Sequence, residues 1–238
     1  GRPPDALRPE LAGVLRFWFG AEVLADSAAL DEAAYLKKRN RVWYMGGAVV
    51  DEEAAAFLPT LRAERALAES LPRPLELDVI ADRAAAELSA LARVVLFDQV
   101  PRNAARGTAE AFAQDVLASE SAEALVRAGY AERCRAAALL CLTQALVHAE
   151  APSDGARAKA AISLLLANER RFAEPIAQHF RRSAAIHEGH LEVLCRFGRY
   201  PHRNAVLDRE STQDELEWLA SPDCPGWARS QAPRGSKK

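Results

Sequence analysis

Two stretches of this 238-residue chain carry the side chains best suited to chemistry, and they look like variants of one motif. The first is Phe97-Asp98-Gln99-Val100-Pro101-Arg102-Asn103 with Arg106-Gly107-Thr108; the second is Phe197-Gly198-Arg199-Tyr200-Pro201-His202-Arg203-Asn204 with Arg209 and Ser211-Thr212. Each is expected to close an apolar helix at its proline, because proline lacks an N–H and crowds the preceding turn. A loop carrying arginine and asparagine then aims fixed donors at one small volume, a geometry suited to carboxylate or phosphate oxygens. Asp98 falls on the last helical turn, where the macrodipole disfavours a carboxylate, so it needs a cation nearby, and Arg102 and Arg106 are within reach. Such a pair can brace the loop, with Asn103 tying down its backbone and Gln99 serving either role, or it can orient an arginine toward a bound anion. The second stretch has the same two readings. Arg196, Arg199, Arg203 and Arg209 can cap carbonyls at the helix end and pair with Asp208, Glu210 or Asp98, or they can clamp an anion beside His202 and Asn204, with His202 as proton donor.

Further polar residues lie outside these corners. His148 and Glu150 end a helix, and His187 and His190 stand three apart on another. The spacing is not that of a zinc protease helix and no third ligand is fixed, so core histidines are expected and no metal is assigned. Phe17-Trp18-Phe19 and Trp43-Tyr44 fall at core spacing. There is no glycine-rich phosphate loop, no Gly-x-Ser-x-Gly elbow and no recognisable cysteine–histidine pair, and no cofactor is expected.

The elements that must position these residues are helical. Half the residues are apolar, enough for a substantial core, and 31 basic against 33 acidic residues leave a net charge of −2, which argues against general nucleic-acid binding. Cys134, Cys141, Cys195 and Cys224 show no paired close spacing and read as free thiols in a reducing compartment. Charges such as Glu87 and Arg93 interrupt every long apolar run, so membrane insertion is not expected and the chain reads as soluble. Cytoplasm and organelle matrix both stay open, since the first residue is Gly1 and not methionine.

Helical periodicity places elements over Glu10–Phe19 before Gly20, from a Ser27 cap to Trp43 before Gly46-Gly47, and from Asp51 through Leu61 with Pro59 dividing it. Beyond the stiff Pro72-Arg73-Pro74, the run Leu77, Ile80, Ala84, Leu88, Leu91, Val95, Leu96 is the central core helix, expected to stop at Pro101. Thr108 opens the next, ending at Gly129; another covers Cys134 to Ala149. After the turn Pro152-Ser153-Asp154-Gly155 comes a helix through Ile162 and Leu165, then one from Pro175 to Phe197 closed by Gly198. Thr212-Gln213-Asp214-Glu215 has the capping-box form. With no alternating pattern, about nine helices imply an all-α domain of antiparallel helical hairpins over 1–221, followed by a polar tail over 222–238.

Four segments together resemble one family. They are Leu15-Arg16-Phe17-Trp18-Phe19-Gly20, the first corner with Ala111-Phe112-Ala113 and Asp115, and Arg196 joined to the whole second corner through Ser211-Thr212. They are similar, in order from about Leu11 to Leu219, to the family named domain of unknown function 924. The resemblance implies a tetratricopeptide-like all-helical bundle and no activity. The family's Pro-x-Glu-His-Ser-Glu-like segment is echoed by Val147-His148-Ala149-Glu150, with alanine in place of serine.

Three functions follow as expectations. The first is a binding or scaffold module gripping a carboxylate, a phosphate or an acidic partner segment, with Asp98, Gln99, Arg102, Asn103, Arg106, His148, Glu150, His190, Arg199, His202, Arg203 and Asn204 as candidate ligand contacts. The second is a metal-independent hydrolase or transferase acting on a phosphorylated or carboxylated small molecule, with Asp98 or His202 transferring protons. The third is a structural subunit of a larger assembly. All functional readings require the two corners, about a hundred residues apart, to face one cavity.

Overall fold

Caps and prolines set most helix ends. In the computed structural model, which describes residues 7–45, 47–70, 82–151, 155–222 and 224–229, Pro9 occupies the first position of α1 (Pro9–Phe19), where its missing N–H has no partner to lose. Pro59 and Pro175 sit equally well, one residue inside α4 (Leu58–Ser70) and α9 (Glu174–Phe197). Asp82 caps α5 (Arg83–Ala104) by accepting from the Ala85 N–H at 3.0 Å. Gly198 takes the left-handed conformation at φ 68° and returns its N–H to the Leu194 carbonyl at 2.8 Å, ending α9. The Thr212 and Glu215 side chains form a reciprocal capping box at the start of α10 (Gln213–Ala220).

The remaining helices are α2 (Ala33–Met45), α3 (Gly47–Ala55), α6 (Asp115–Arg127), α7 (Ala136–His148), α8 (Ala156–Asn168) and the short α11 (Gly226–Arg229). The described residues contain eleven helices and no strand, so the fold is all-α, with two more helices than periodicity suggests. From α5 to α9 each helix packs on the next, while α1 and α3 lie against α5. The core is centred on α5 and α7; the latter buries nearly every side chain from Ala136 to Val147. None of the helices among the described residues is long and apolar enough to cross a membrane. The four cysteines are free, with Cys134, Cys141 and Cys224 buried and Cys195 exposed.

Several expectations are corrected. Pro101 does not stop α5, which runs on to Ala104 and closes with the Ala105 N–H on the Pro101 carbonyl at 2.8 Å. The ring leaves only the Phe97 carbonyl without its helical donor, and burial of Val94, Leu96, Phe97 and Val100 keeps the last turn in place. Ser27 caps a single 3-10 turn over Ala28–Asp31, not a helix to Trp43, and α2 starts separately at Ala33. Asp51 lies in the middle of α3, which starts at Gly47. Thr108 turns its hydroxyl back to the Ala105 carbonyl, and a 3-10 turn over Ala109–Ala111 precedes α6. Of the segment read as a tail, residues 224–229 pack on the domain, with Cys224 and Ala228 buried. The breaks at Gly46, Pro72-Arg73-Pro74 and Pro152-Ser153-Asp154, and the positions Leu77 and Ile80, lie outside the described residues.

Candidate functional site

The last turns of α5 present Asp98, Gln99, Arg102 and Asn103 toward the corner that follows α9. Asp98 is wholly buried, and Arg102, one turn on, lies 2.9 Å from its Oδ1 through Nη1. The same guanidinium grips both oxygens of Asp115, on the first turn of α6, at 2.7 and 2.8 Å, in the planar fork that arginine and carboxylate form best. Arg203, on a 3-10 turn over Pro201–Arg203, brings Nη1 to the second oxygen of Asp115 at 2.9 Å and Nη2 to the His148 carbonyl at 2.9 Å. Both arginines lie over the Phe112 ring, at 5.5 and 4.5 Å from its centroid. One carboxylate therefore joins the two corners.

Behind this pair stands a second. His148 ends α7 and places Nδ1 2.6 Å from Asp98 Oδ1, while its Nε2 lies 2.7 Å from Gln144 Nε2. Burial works against the Asp98 carboxylate, but Arg102 and His148 overcome it and hold it down to about 2. An ionised Asp98 fixes the tautomer: Nδ1 carries the proton and donates to Asp98, and Nε2 accepts an N–H from Gln144. Burial, reinforced by the Arg102 charge, pushes the His148 imidazolium below its usual range, so the ring is neutral at pH 7.

Arg102, Arg203, Gln144 and His148 line a cavity of about 770 Å³, with Asp98 and Asp115 behind them. Gln99, Arg102, Asn103 and Arg106 form one wall; His148, with Gln144, and His202, with Arg203, form the next. The opposite wall is one face of α9, where His179, Arg182, Ser183, Ile186, His187 and His190 recur at three- and four-residue intervals. Trp43 and Trp227 complete it, Trp227 stacking on His190 at 3.8 Å between ring centroids. His190 also engages the Ile186 carbonyl through Nδ1 at 2.9 Å. Burial drives His187 down to about 3 and lowers His179, His190 and His202, so with His148 five imidazoles face the cavity uncharged. Neither ring nitrogen of His187, nor Nδ1 of His202, finds a partner among the described residues.

The charges divide unevenly. Arg102 and Arg203 are neutralised by Asp98 and Asp115, and Arg106 bonds to Asn103 at 3.1 Å and stands 3.5 Å from Asp51. Arg182 also lines the cavity and, among the described residues, pairs with no carboxylate.

Of the side chains expected to form the site, Gln99, Arg102, Asn103, Arg106, His148, His190, His202 and Arg203 meet around this cavity, with Asp98 directly beneath it. Three others stand away from it. Glu150 accepts from the Tyr200 N–H at 2.8 Å and pairs with Arg209 at 2.7 Å. Arg199 forks onto Glu215 at 2.7 and 2.8 Å, and Asn204 donates to Ser211 at 3.0 Å and Glu215 at 3.2 Å. These three brace the second corner. The arginines there find partners other than those expected: Glu215, Asp115 and Glu150 take the places of Asp208, Glu210 and Asp98, apart from an Arg199 contact to the Glu210 carbonyl.

Sequence reasoning left Asp115, Gln144, Arg182, His187 and Trp227 out of the site. A signal for part of this was present: His179, Arg182, Ser183, His187 and His190 recur at helical spacing on α9, and His187 and His190 are buried where the helix's other buried residues are apolar, so such a face is a natural cavity wall. No spacing pointed to Asp115. Among the described residues no three His, Cys, Asp or Glu side chains are placed to hold a metal ion.

Fold and site together define an all-helical protein with a polar, histidine-rich cavity between two arginine corners. The family described as "Bacterial protein of unknown function (DUF924)" matches residues 14–223, and the chain belongs to it. Among solved structures, a protein of unknown function, ATU0120 from Agrobacterium tumefaciens, is similar, with a TM-score of 0.53 and 26% identity over 88% of this chain and 96% of that one. Comparison with curated proteins returns no match.

Proposed function

We propose that the cavity binds a small organic anion, a carboxylate or phosphate carried on a planar apolar body. The observation that carries this reading is the convergence of both corners on one cavity, bordered by an exposed guanidinium, Arg182, that has no carboxylate partner among the described residues. About 770 Å³ is the size of a metabolite pocket. The Arg102–Asp115–Arg203 bridge acts as the frame, since its charges are already matched; Arg182 supplies the attraction, and Trp43, Trp227 and the neutral imidazoles supply flat contact surface and hydrogen bonds.

Titration calorimetry with benzoate, phenyl phosphate and the neutral control benzyl alcohol tests this. At least one anion is expected to bind and benzyl alcohol to bind more weakly. Arg182→Ala should weaken the anion about 10- to 100-fold, the value of one or two charge-assisted hydrogen bonds. Equal binding of benzyl alcohol, no binding of either anion, or an unaltered Arg182→Ala variant would count against it.

A further inference from the structure

Asp98 and His148 have an arrangement that anion binding alone does not need. The carboxylate is wholly buried and the imidazole is 14% exposed, so Asp98 lies on the protein side of the ring and the cavity on the other. Arg203 holds the His148 backbone carbonyl and Arg102 holds Asp98, fixing both members of the pair. With Nδ1 committed to Asp98, the basic lone pair sits on Nε2, whose neighbour Gln144 also lines the cavity. No hydroxyl or thiol is hydrogen-bonded to His148 among the described residues, so the proton it could take belongs to a water or to the ligand.

We infer that the cavity is an active site in which His148, oriented by Asp98, is the general base that activates a water for attack on an acyl ester carried by the bound anion. The water takes the place of the Gln144 amide at Nε2, which removes one of its protons, and the water oxygen bonds to the acyl carbon. The acyl carbon–oxygen bond to the leaving group breaks, and the imidazolium returns the proton to the departing oxygen. Asp98 steadies the imidazolium between these events, as a buried carboxylate does behind a catalytic histidine. An acyl centre fits better than a phosphoryl one, because Arg102 and Arg203 are spent on Asp115 and cannot also clamp three equatorial oxygens.

This inference rests on the anion-binding reading, and its test separates the two. The probe is 4-acetoxybenzoate, which carries the anion, the planar body and the ester; hydrolysis to acetate and 4-hydroxybenzoate is followed by absorbance. The groups facing His148 are Asp98 and Arg102 from α5, Asp115 from α6, His187 and His190 from α9, and His202 and Arg203 from the second corner. Burial and Arg102 favour the neutral ring, so the rate should rise with pH through a single inflection below 6.5 and level off above it. His148→Gln should lose at least about 100-fold in rate while still binding benzoate. Gln144→Ala, at a half-buried position, removes the donor to Nε2, makes the ring more basic and should move the inflection to higher pH; a bracing role alone would leave it in place.

Three results would overturn the inference: no hydrolysis by wild-type protein that binds benzoate, equal rates in a folded His148→Gln variant, or an inflection that Gln144→Ala does not move. The first leaves anion binding standing; loss of benzoate binding itself removes both.

Discussion

Asp115 shows how much of this molecule depends on a single carboxylate. It accepts a fork from Arg102 and a further bond from Arg203, and all three side chains are buried. Removing its charge leaves Arg102 with Asp98 and Arg203 with only the more distant Glu150 as counter-ion, and an uncompensated buried charge is costly. Asp115→Asn is expected to destabilise the protein by about 3–5 kcal/mol, read as a shift of the urea midpoint at constant slope. A change below about 1 kcal/mol would mean that the bridge is replaceable. Half of this network was legible in the residues: Asp98 and Arg102 stand four apart on a helix, a spacing that brings side chains together. The other half was not, because Asp115 and Arg203 are 88 positions apart and no local pattern links them.

At the scale of elements, caps decide where the second corner begins and ends. Gly198 sets the end of α9, and the Thr212 capping box sets the start of α10, which in turn places Glu215 where it holds Arg199, Asn204 and the Thr212 N–H. Thr212→Ala removes one cap hydrogen bond and should cost about 1 kcal/mol in urea unfolding while leaving benzoate affinity unaltered, since none of these groups lines the cavity. A matching loss of affinity would show that the brace reaches the cavity wall. These caps were readable, because a capping box and a terminal glycine act within one turn of chain. The behaviour of Pro101 was not. Proline's local cost argues for a break, and the burial of α5 on both sides overrides it, a tertiary contribution invisible to local rules.

For the whole molecule, burial of so many imidazoles links stability to pH. His148, His179, His187, His190 and His202 are held neutral below their ordinary range, so as pH falls under 6.5 the unfolded chain takes up protons that the folded one does not. Stability is then lost with falling pH, by up to about 1.4 kcal/mol per pH unit for each such ring. Asp98 and Glu215, each held near 2, add a second loss below about 4. The urea midpoint should therefore hold steady above pH 7, fall from 6.5 downward and steepen below 4. A midpoint unaltered between pH 7.5 and 5 would show that the rings are open to solvent and titrate normally.

The residues alone settled the all-α class, several helix ends, among them those of α1 and α9, the free thiols and the two corners, because periodicity, capping and proline chemistry act over a few positions. Membership of the family was equally legible, carried by the Arg-Phe-Gly-Arg-Tyr-Pro-His-Arg-Asn string. The choice between facing the cavity and bracing its frame was made only by the packing of α5, α6, α7 and α9. It turned Arg203 inward and Arg199 outward although both belong to the same short loop, and it gave His148 to Asp98. Charge pairing and burial are properties of three-dimensional neighbours, and neighbours 50 or 88 positions apart are fixed only when the helices meet.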